Sequence, residues 1–238
     1  MTKTCYFLRL GLVDYGEAFR LQRSIAAARE RGLLPDLLVT LQHPPVVTLG
    51  RRANRLNILA PDEQLLREGI TVHQSSRGGD VTYHGPGQLV GYPILALRGL
   101  GMGASRYVHT LEQVIMDVLG DLGIESQQDP GYVGVWVGDE KIAAIGVAIS
   151  GGITTHGFAL NVDPNLSHFG LINPCGITDR GVTSISRLLG RQIEVPEVVP
   201  LIEKHFGRRF GLSMAACPPH ELARAGIELP LDPGSAVL

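Results

Sequence analysis

The 238-residue sequence predicts an α+β fold, a mixed β-sheet flanked by helices. Three observations carry this expectation. Candidate strands follow one another along the chain more often than they alternate with helices. Two β-rich runs, 132–137 and 141–149, are separated only by Gly138-Asp139-Glu140, a short hairpin signal. Helical spacing recurs at a few long segments instead of after every strand. A chain this long buries roughly 70–75% of the surface its unfolded form exposes, so one core needs no metal or disulfide to hold it.

The elements follow in order. Residues 5–12 read as a strand, and 15–31 carry apolar residues at helical spacing until Gly32 ends the helix. The run DLLVTLQ (36–42) is a buried strand leading into His43-Pro44-Pro45 and a second short strand, 46–49. Residues 50–59 are arginine-rich and loop-like. Pro61 opens a short helix to Glu68, and 71–74 form a strand. A glycine-dense loop from Arg77 to Gly87 precedes a strand at 88–97, and Val108, Leu111, Val114, Ile115 and Val118 pattern a helix over 105–119. After the hairpin comes a strand at 153–162, an irregular stretch at 163–181, and helices at 183–189 and 196–210. One catalytic domain is expected over 1–215, with 216–238 as a partly flexible tail rich in Pro, Gly and small residues.

Charge and composition exclude several classes of function. Lys and Arg total 21 against 23 Asp and Glu, so no global basic field favours nucleic acid or an anionic membrane. No run of 18 apolar residues occurs, and Arg9 and Asp14 interrupt the N-terminal apolar stretch, so neither a membrane span nor a signal peptide is expected. Three cysteines without a CxxC fit reduced thiols and a cytoplasmic setting. None of the three lysines, Lys3, Lys141 and Lys204, lies in a P-loop motif, and HExxH and GxSxG are missing. The run Gly99-Leu100-Gly101-Met102-Gly103-Ala104 matches a dinucleotide fingerprint. The hairpin-linked strands after it make a strand-to-helix turn that needs glycine dihedrals the better reading.

The densest chemical signal is RGGDVTYHGPGQ (77–88). Its four glycines let the backbone approach a ligand closely and aim amide N–H groups at it. Arg77 and His84 are placed to stabilise negative charge developing on a carbonyl oxygen. Cys175, between Pro174 and Gly176, is set for presentation on a turn, whereas Cys5 and Cys217 fit the role of small buried hydrophobes. A free thiol is only about 3% thiolate at pH 7, so a nucleophilic cysteine needs a nearby positive charge or base. Lys141 is a candidate: arginine carries most of this chain's positive charge, and Ala144, Gly146 and Ala148 form a small-residue face on its strand that leaves room for a ligand.

The extended run RGGDVTYHGPGQLVGY resembles the signature of the lipoyl(octanoyl) transferases at Arg77, Gly78, Gly79, Thr82, Tyr83, His84, Gly87, Gln88 and Tyr92. Similar blocks are Gln42-His43 with Thr48-Leu49-Gly50-Arg51, KIAAIGVAI from Lys141, HGFALNV at 156–162, and Asn173-Pro174-Cys175-Gly176. The resemblance spans roughly residues 35–190. It implies a biotin/lipoate protein ligase-like catalytic domain, with the acyl-carrying cysteine at Cys175 and the lysine that activates it at Lys141. By the same resemblance Arg77, Gly78, Gly79, Asp80, Val81, Thr82, Tyr83 and His84 line the acyl site. Ala144, Ile145, Gly146, Gly157, Phe158 and Ala159 complete it. His156 is a candidate for catalytic support; His84 and His156 either polarise the thioester carbonyl or hold loops.

The implied activity is transfer of an octanoyl or lipoyl group from acyl carrier protein to one lysine of a lipoyl domain, the first step of endogenous protein lipoylation. The expected acceptors are the E2 subunits of 2-oxoacid dehydrogenases and the glycine cleavage H protein. No ATP, metal or other cofactor is expected, because thioester exchange is nearly isoenergetic and thioester-to-amide transfer runs downhill. The alternative is an ATP-dependent lipoate or biotin protein ligase of the same fold, against which the retained Cys175 stands. A non-catalytic lipoyl-domain-binding module would not need Cys175 and Lys141, and a cysteine hydrolase would need an oriented Cys–His pair that the spacing does not reveal.

Overall fold

The computed structural model describes residues 2–173 and 180–230. In chain order, β1 (Lys3–Leu12), α1 (Tyr15–Glu30), β2 (Asp36–Gln42) and β3 (Val46–Leu49) come first. Next are α2 (Asp62–Arg67), β4 (Thr71–Gln74), β5 (Val81–His84), β6 (Gln88–Ile94) and α3 (Ala104–Asp121). The second half holds β7 (Gln127–Gln128), β8 (Val135–Val137), β9 (Glu140–Ser150), β10 (Ile153–Asn161) and β11 (Gly181–Val182). It closes with α4 (Ile185–Leu189), α5 (Val195–Phe210), β12 (Leu212–Ala216) and α6 (Pro219–Arg224).

The large sheet runs β12-β1-β2-β6-β10-β9-β8-β7, with β11 on β9. It is mixed, as expected: β12, β1 and β2 pair in parallel, while β2, β6, β10, β9 and β8 pair antiparallel. The parallel β1–β2 pair requires a crossover, which α1 supplies. Asp14 starts that helix by accepting a hydrogen bond from the Glu17 amide. A second sheet, β4-β3-β5, stands apart from the first.

Each sheet face buries its own apolar set. Helices α3 and α5 cover one face, where Leu111, Val114, Ile115, Val118, Val198, Ile202 and Phe206 are fully buried against Leu38, Leu89, Phe158 and Leu160. Complete burial of side chains this size stabilises by about 1.5–3 kcal/mol each. Helix α1 covers the other face over β1, β2 and β6, through Ala18, Leu21 and Ile25. The small sheet closes a third cluster around Val47, Leu65, Val81 and Tyr83.

Four local expectations need correction. The glycine-dense run is not loop throughout, since Val81–His84 forms β5 and pairs with β3; Val, Thr and Tyr favour a pleated, half-buried strand over a turn. Residues 132–134 are not strand, because Gly134 sits at φ 133° and Asp129 Oδ1 takes the amides of Gly131 and Tyr132. The hairpin turn is Gly138-Asp139 alone, which pairs Val137 with Glu140 and Trp136 with Lys141. The boundary expected at 215/216 falls inside β12, and Leu222 and Ile227 are buried beneath α1, so 216–230 packs with the rest. The fingerprint at 99–104 is a turn: Gly101 has φ 63° and Gly103 precedes α3.

Candidate functional site

A cavity of about 410 Å³ opens where the small sheet leans over β9 and β10. That volume lies within the roughly 300–1,000 Å³ of small-molecule sites. The Gly78 amide donates to Val147 O at 2.9 Å, and Arg51 N and Arg52 N donate to Arg77 O and Gly79 O, which fixes the glycine-rich run between β9 and the arginine loop. Arg77, Gly78, Gly79, Val81, Thr82 and His84 line the cavity. On its floor lie Ala144, Ile145 and Gly146 of β9, paired in register with Ala159, Phe158 and Gly157 of β10, all of which also line it. Small residues are obligatory here: a side chain at Gly157 would overlap Gly91 O and press on Pro93 Cδ.

Asp80 and Tyr83 do not line the cavity. Strand alternation turns Tyr83 into the third core, where its hydroxyl meets His168 Nδ1 at 2.7 Å and burial pushes it up to about 12. Asp80 accepts from Asn54 N at 3.0 Å and from Asn57 Nδ2, so it braces the arginine loop. Arg77 is buried and donates through Nε and Nη2 to Thr48 and through Nη1 to Gly78 O, so it ties the glycine run to β3.

His43, His84 and His156 are held neutral by burial. His84 Nδ1 donates to Gln88 Oε1 at 2.7 Å, and the Gln88 amide donates to Asn161 Oδ1 at 2.9 Å. Burial, then the nearby His43, pushes His84 down to about 3. His43 donates from Nδ1 to Val13 O and accepts from the Tyr92 hydroxyl at Nε2, both at 2.7 Å; burial holds it at about 4. His156 shares a 2.9 Å hydrogen bond with Ser76 Oγ and stacks on Phe19 of α1. Burial, then the Arg77 charge, lowers it to about 4.

His156 is also the one non-glycine residue with positive φ among those described, at 56°. Regular alternation from Phe158 would send its side chain to the α3 face. The left-handed conformation turns it instead toward Phe19 and Tyr92, on the cavity side. Such strain costs on the order of 1–3 kcal/mol and persists only where surroundings hold it, here the Gln22 Oε1 bond to His156 N at 2.7 Å.

Lys141, the second residue of β9, stands in the cavity wall. Its Nζ donates to Val133 O at 3.3 Å and lies 4.7 Å from the centre of the Trp136 ring. Buried Glu112 of α3 pins the stretch above it, accepting from Gly134 N at 3.0 Å and Gln128 Nε2 at 2.7 Å. Arg180 lies over Tyr132 and Trp136 and pairs with Asp129 at 2.6 Å. Val182 pairs in register with Lys141. Cys175 lies outside the described residues. Of the two cysteines described, Cys5 is fully buried and its thiol is pushed far up by burial, and Cys217 is raised to about 11 by burial and Glu221. Neither is a ready thiolate.

Several lining residues escaped the sequence reading. Tyr15 reaches in from α1 with its hydroxyl on Ser75 Oγ, and Tyr132, Val133 and Phe169 line the cavity from irregular segments. Among the described residues no group of three or more His, Cys, Asp or Glu is placed to hold a metal, and no helix is long and apolar enough to cross a membrane.

Comparison with known proteins gives a consistent result. Residues 14–207 match the family model described as the lipoyl protein ligase A/B catalytic domain. The octanoyltransferase of Caldicellulosiruptor saccharolyticus is 51% identical over 209 residues, covering 87% of this chain and 88% of that protein. The octanoyltransferase of Solibacter usitatus is 50% identical over 212 residues, covering 89% and 96%. Among solved structures, a lipoate-protein ligase A bound with ATP superposes with TM-score 0.72 at 16% identity, over 95% of this chain and 93% of that one. A bipartite lipoate protein ligase from Thermoplasma acidophilum, solved in a study of that ligase and its E2 lipoyl domain, gives 0.67 at 15%, over 95% and 91%. The fold is that of the lipoate protein ligases.

Proposed function

Because the chain belongs to the lipoyl protein ligase A/B catalytic-domain family and within it to the octanoyltransferases, which are acyltransferase enzymes, we propose that it moves an octanoyl group from acyl carrier protein to a lipoyl-domain lysine through a thioester on Cys175. The observation that carries this reading is the position of Lys141. It stands in the wall of an acyl-sized cavity, and β11, in the stretch that follows Cys175, pairs beside it. Burial pushes the thiols of Cys5 and Cys217 up, which makes them poor candidates for that role.

In the first half-reaction the Cys175 thiolate attacks the octanoyl carbonyl and the bond to the pantetheine sulfur breaks. The Lys141 ammonium gives its proton to the departing thiolate. In the second, the Lys141 amine takes a proton from the acceptor lysine ammonium, and the resulting amine attacks the Cys175 thioester. The bond to Cys175 breaks, the second amine proton passes to solvent, and the thiolate–ammonium pair is restored. The pair titrates as a unit, so its apparent pKa values belong to neither residue alone. His84, with both ring nitrogens directed at Gln88 and Thr48, serves this scheme by holding the site together. The eight-carbon chain lies over the small face of Ala144, Gly146, Gly157 and Ala159. Burying it at about 0.8 kcal/mol per methylene contributes several kcal/mol of binding. Arg51 and Arg52, exposed on the loop that brings Arg52 to the cavity, supply positive charge for acidic carrier and acceptor domains, the expected E2 lipoyl domains and glycine cleavage H protein among them.

The experiment that tests this against the ligase reading is transfer to an apo lipoyl domain with two donors. Octanoyl-acyl carrier protein without ATP is expected to octanoylate the acceptor, and free octanoate with ATP and magnesium is not. The reverse pattern would establish the ligase.

A further inference from the structure

Trp136 is the only tryptophan of the chain, 1% exposed, and it faces Lys141 directly across the β8–β9 pair. Two cations meet its indole. Lys141 Nζ lies 4.7 Å and the Arg180 guanidinium carbon 5.1 Å from the ring centre. The indole itself is fixed, since its Nε1 donates to Tyr132 O at 3.3 Å and the Tyr132 ring packs on it at 6.1 Å. We propose that Trp136 is a positioning residue for this acyl transfer, whose ring face holds the Lys141 ammonium in its charged form toward the cavity and anchors the Arg180 side chain beside it.

The physical argument runs from the ring quadrupole. An ammonium over an indole face is stabilised relative to the neutral amine, and more so when desolvated. A side chain at Gly134 would fall 2.6 Å from Ala143 O, so glycine there lets the stretch close on β9, with the Lys141 stem in ordinary contact at 3.4 Å. Among the described residues, Arg180 pairs with Asp129, Glu140 with Arg187, and Glu112 with Gly134 N, Gln128 and His109. The indole face favours the Lys141 ammonium through its quadrupole.

This inference rests on the reading of Cys175 and Lys141 given above, and two measurements separate them. With lysine labelled at Cε, the wild-type protein has three side-chain signals, one per lysine. Assigned with Lys141→Arg, the Lys141 signal is expected well upfield of Lys3 and Lys204 from the indole ring current. A Lys141 signal coincident with the other two would overturn the proposal. The second measurement is the pH dependence of Cys175 alkylation by iodoacetamide, read on the Cys175 peptide, in Trp136→Met and Trp136→Phe. Methionine fills the space without a ring face, whereas phenylalanine keeps one. The Met protein is expected to lose about 3- to 10-fold in alkylation rate at pH 7, with its midpoint displaced upward, and the Phe protein less than half of that displacement. Profiles identical to wild type in Trp136→Met, or equal displacement in both variants, would overturn the positioning role. Should Trp136→Met fail to fold, the wild-type lysine signal alone decides. A wild-type midpoint at the free-thiol value with the upfield Lys141 signal intact would instead sink the Cys175 reading and leave the Trp136–Lys141 contact standing.

Discussion

Octanoyl transfer by the Lys141→Met protein is expected to fall by about 10³-fold, while its thermal stability changes little. General acid–base catalysis by a positioned group contributes roughly 10²- to 10⁴-fold, and Lys141 is asked to act twice, as acid toward the leaving pantetheine thiolate and as base toward the acceptor lysine. Methionine preserves most of the length of the stem that packs beside Gly134 and Trp136. At pH 7 the Cys175 thiol of this variant is expected to react as an ordinary one, about 3% ionised. Lys141→Arg separates the two roles. A guanidinium keeps the positive charge but does not give up its proton in this pH range. Alkylation of Cys175 is therefore expected to stay near wild type in Lys141→Arg while turnover collapses. A Lys141→Met protein within tenfold of wild-type kcat/KM would remove Lys141 from the mechanism.

The second large effect is acid lability. His43, His84 and His156 are held neutral at about 4, 3 and 4 by burial, against about 6.5 in an unfolded chain. Above pH 6.5 both states are neutral and nothing is lost. As the pH falls from 6.5 toward 4 the unfolded state binds protons that the folded state refuses, so stability declines throughout that window. At pH 5 each histidine costs about 2 kcal/mol, and three together about 6 kcal/mol, comparable to the roughly 5–15 kcal/mol that holds a domain together. Asp117 and Asp121, lowered first by their hydrogen bonds to Arg209 and Lys204, contribute stability that is constant between pH 7 and 5 and is lost only as pH falls through the carboxylate range, so they do not offset the loss. Urea midpoints at constant salt should therefore drop steeply between pH 7 and 5, and His84→Gln should reduce the slope by about a third. A flat midpoint over that range would contradict the burial of these rings as neutral groups.

The strands and helices that bury one clear stripe were legible in the sequence. Strands β2 and β3 begin and end where their apolar runs do, and α3 follows Val108 to Val118. The misread segments share a cause, in that their conformation is set by partners far along the chain. Strand β5 is hidden among glycines and exists because β3 offers it an edge, and β12 is five mixed residues held by parallel pairing to β1. At the cavity, the glycine run and the small residues of β9 and β10 stood out in the sequence, and the structure brings them to one wall. Asp80 and Tyr83 point away from the cavity, because a motif fixes which residues are present while the local backbone decides which way they face. Trp136 was within reach: a two-residue Gly138-Asp139 turn places it opposite Lys141, by counting back from the hairpin. Tyr15 was not, because its place depends on α1 packing against a loop sixty residues away.

Intact-mass spectrometry of the purified protein after incubation with octanoyl-acyl carrier protein, without ATP, followed by peptide mapping, bears most directly on the acyl-enzyme. An octanoyl adduct on the Cys175 peptide that disappears when an apo lipoyl domain is added, with matching gain of mass on the acceptor, is the predicted result. Transfer to the acceptor with no adduct on Cys175 at any time, and undiminished in Cys175→Ala, would contradict it.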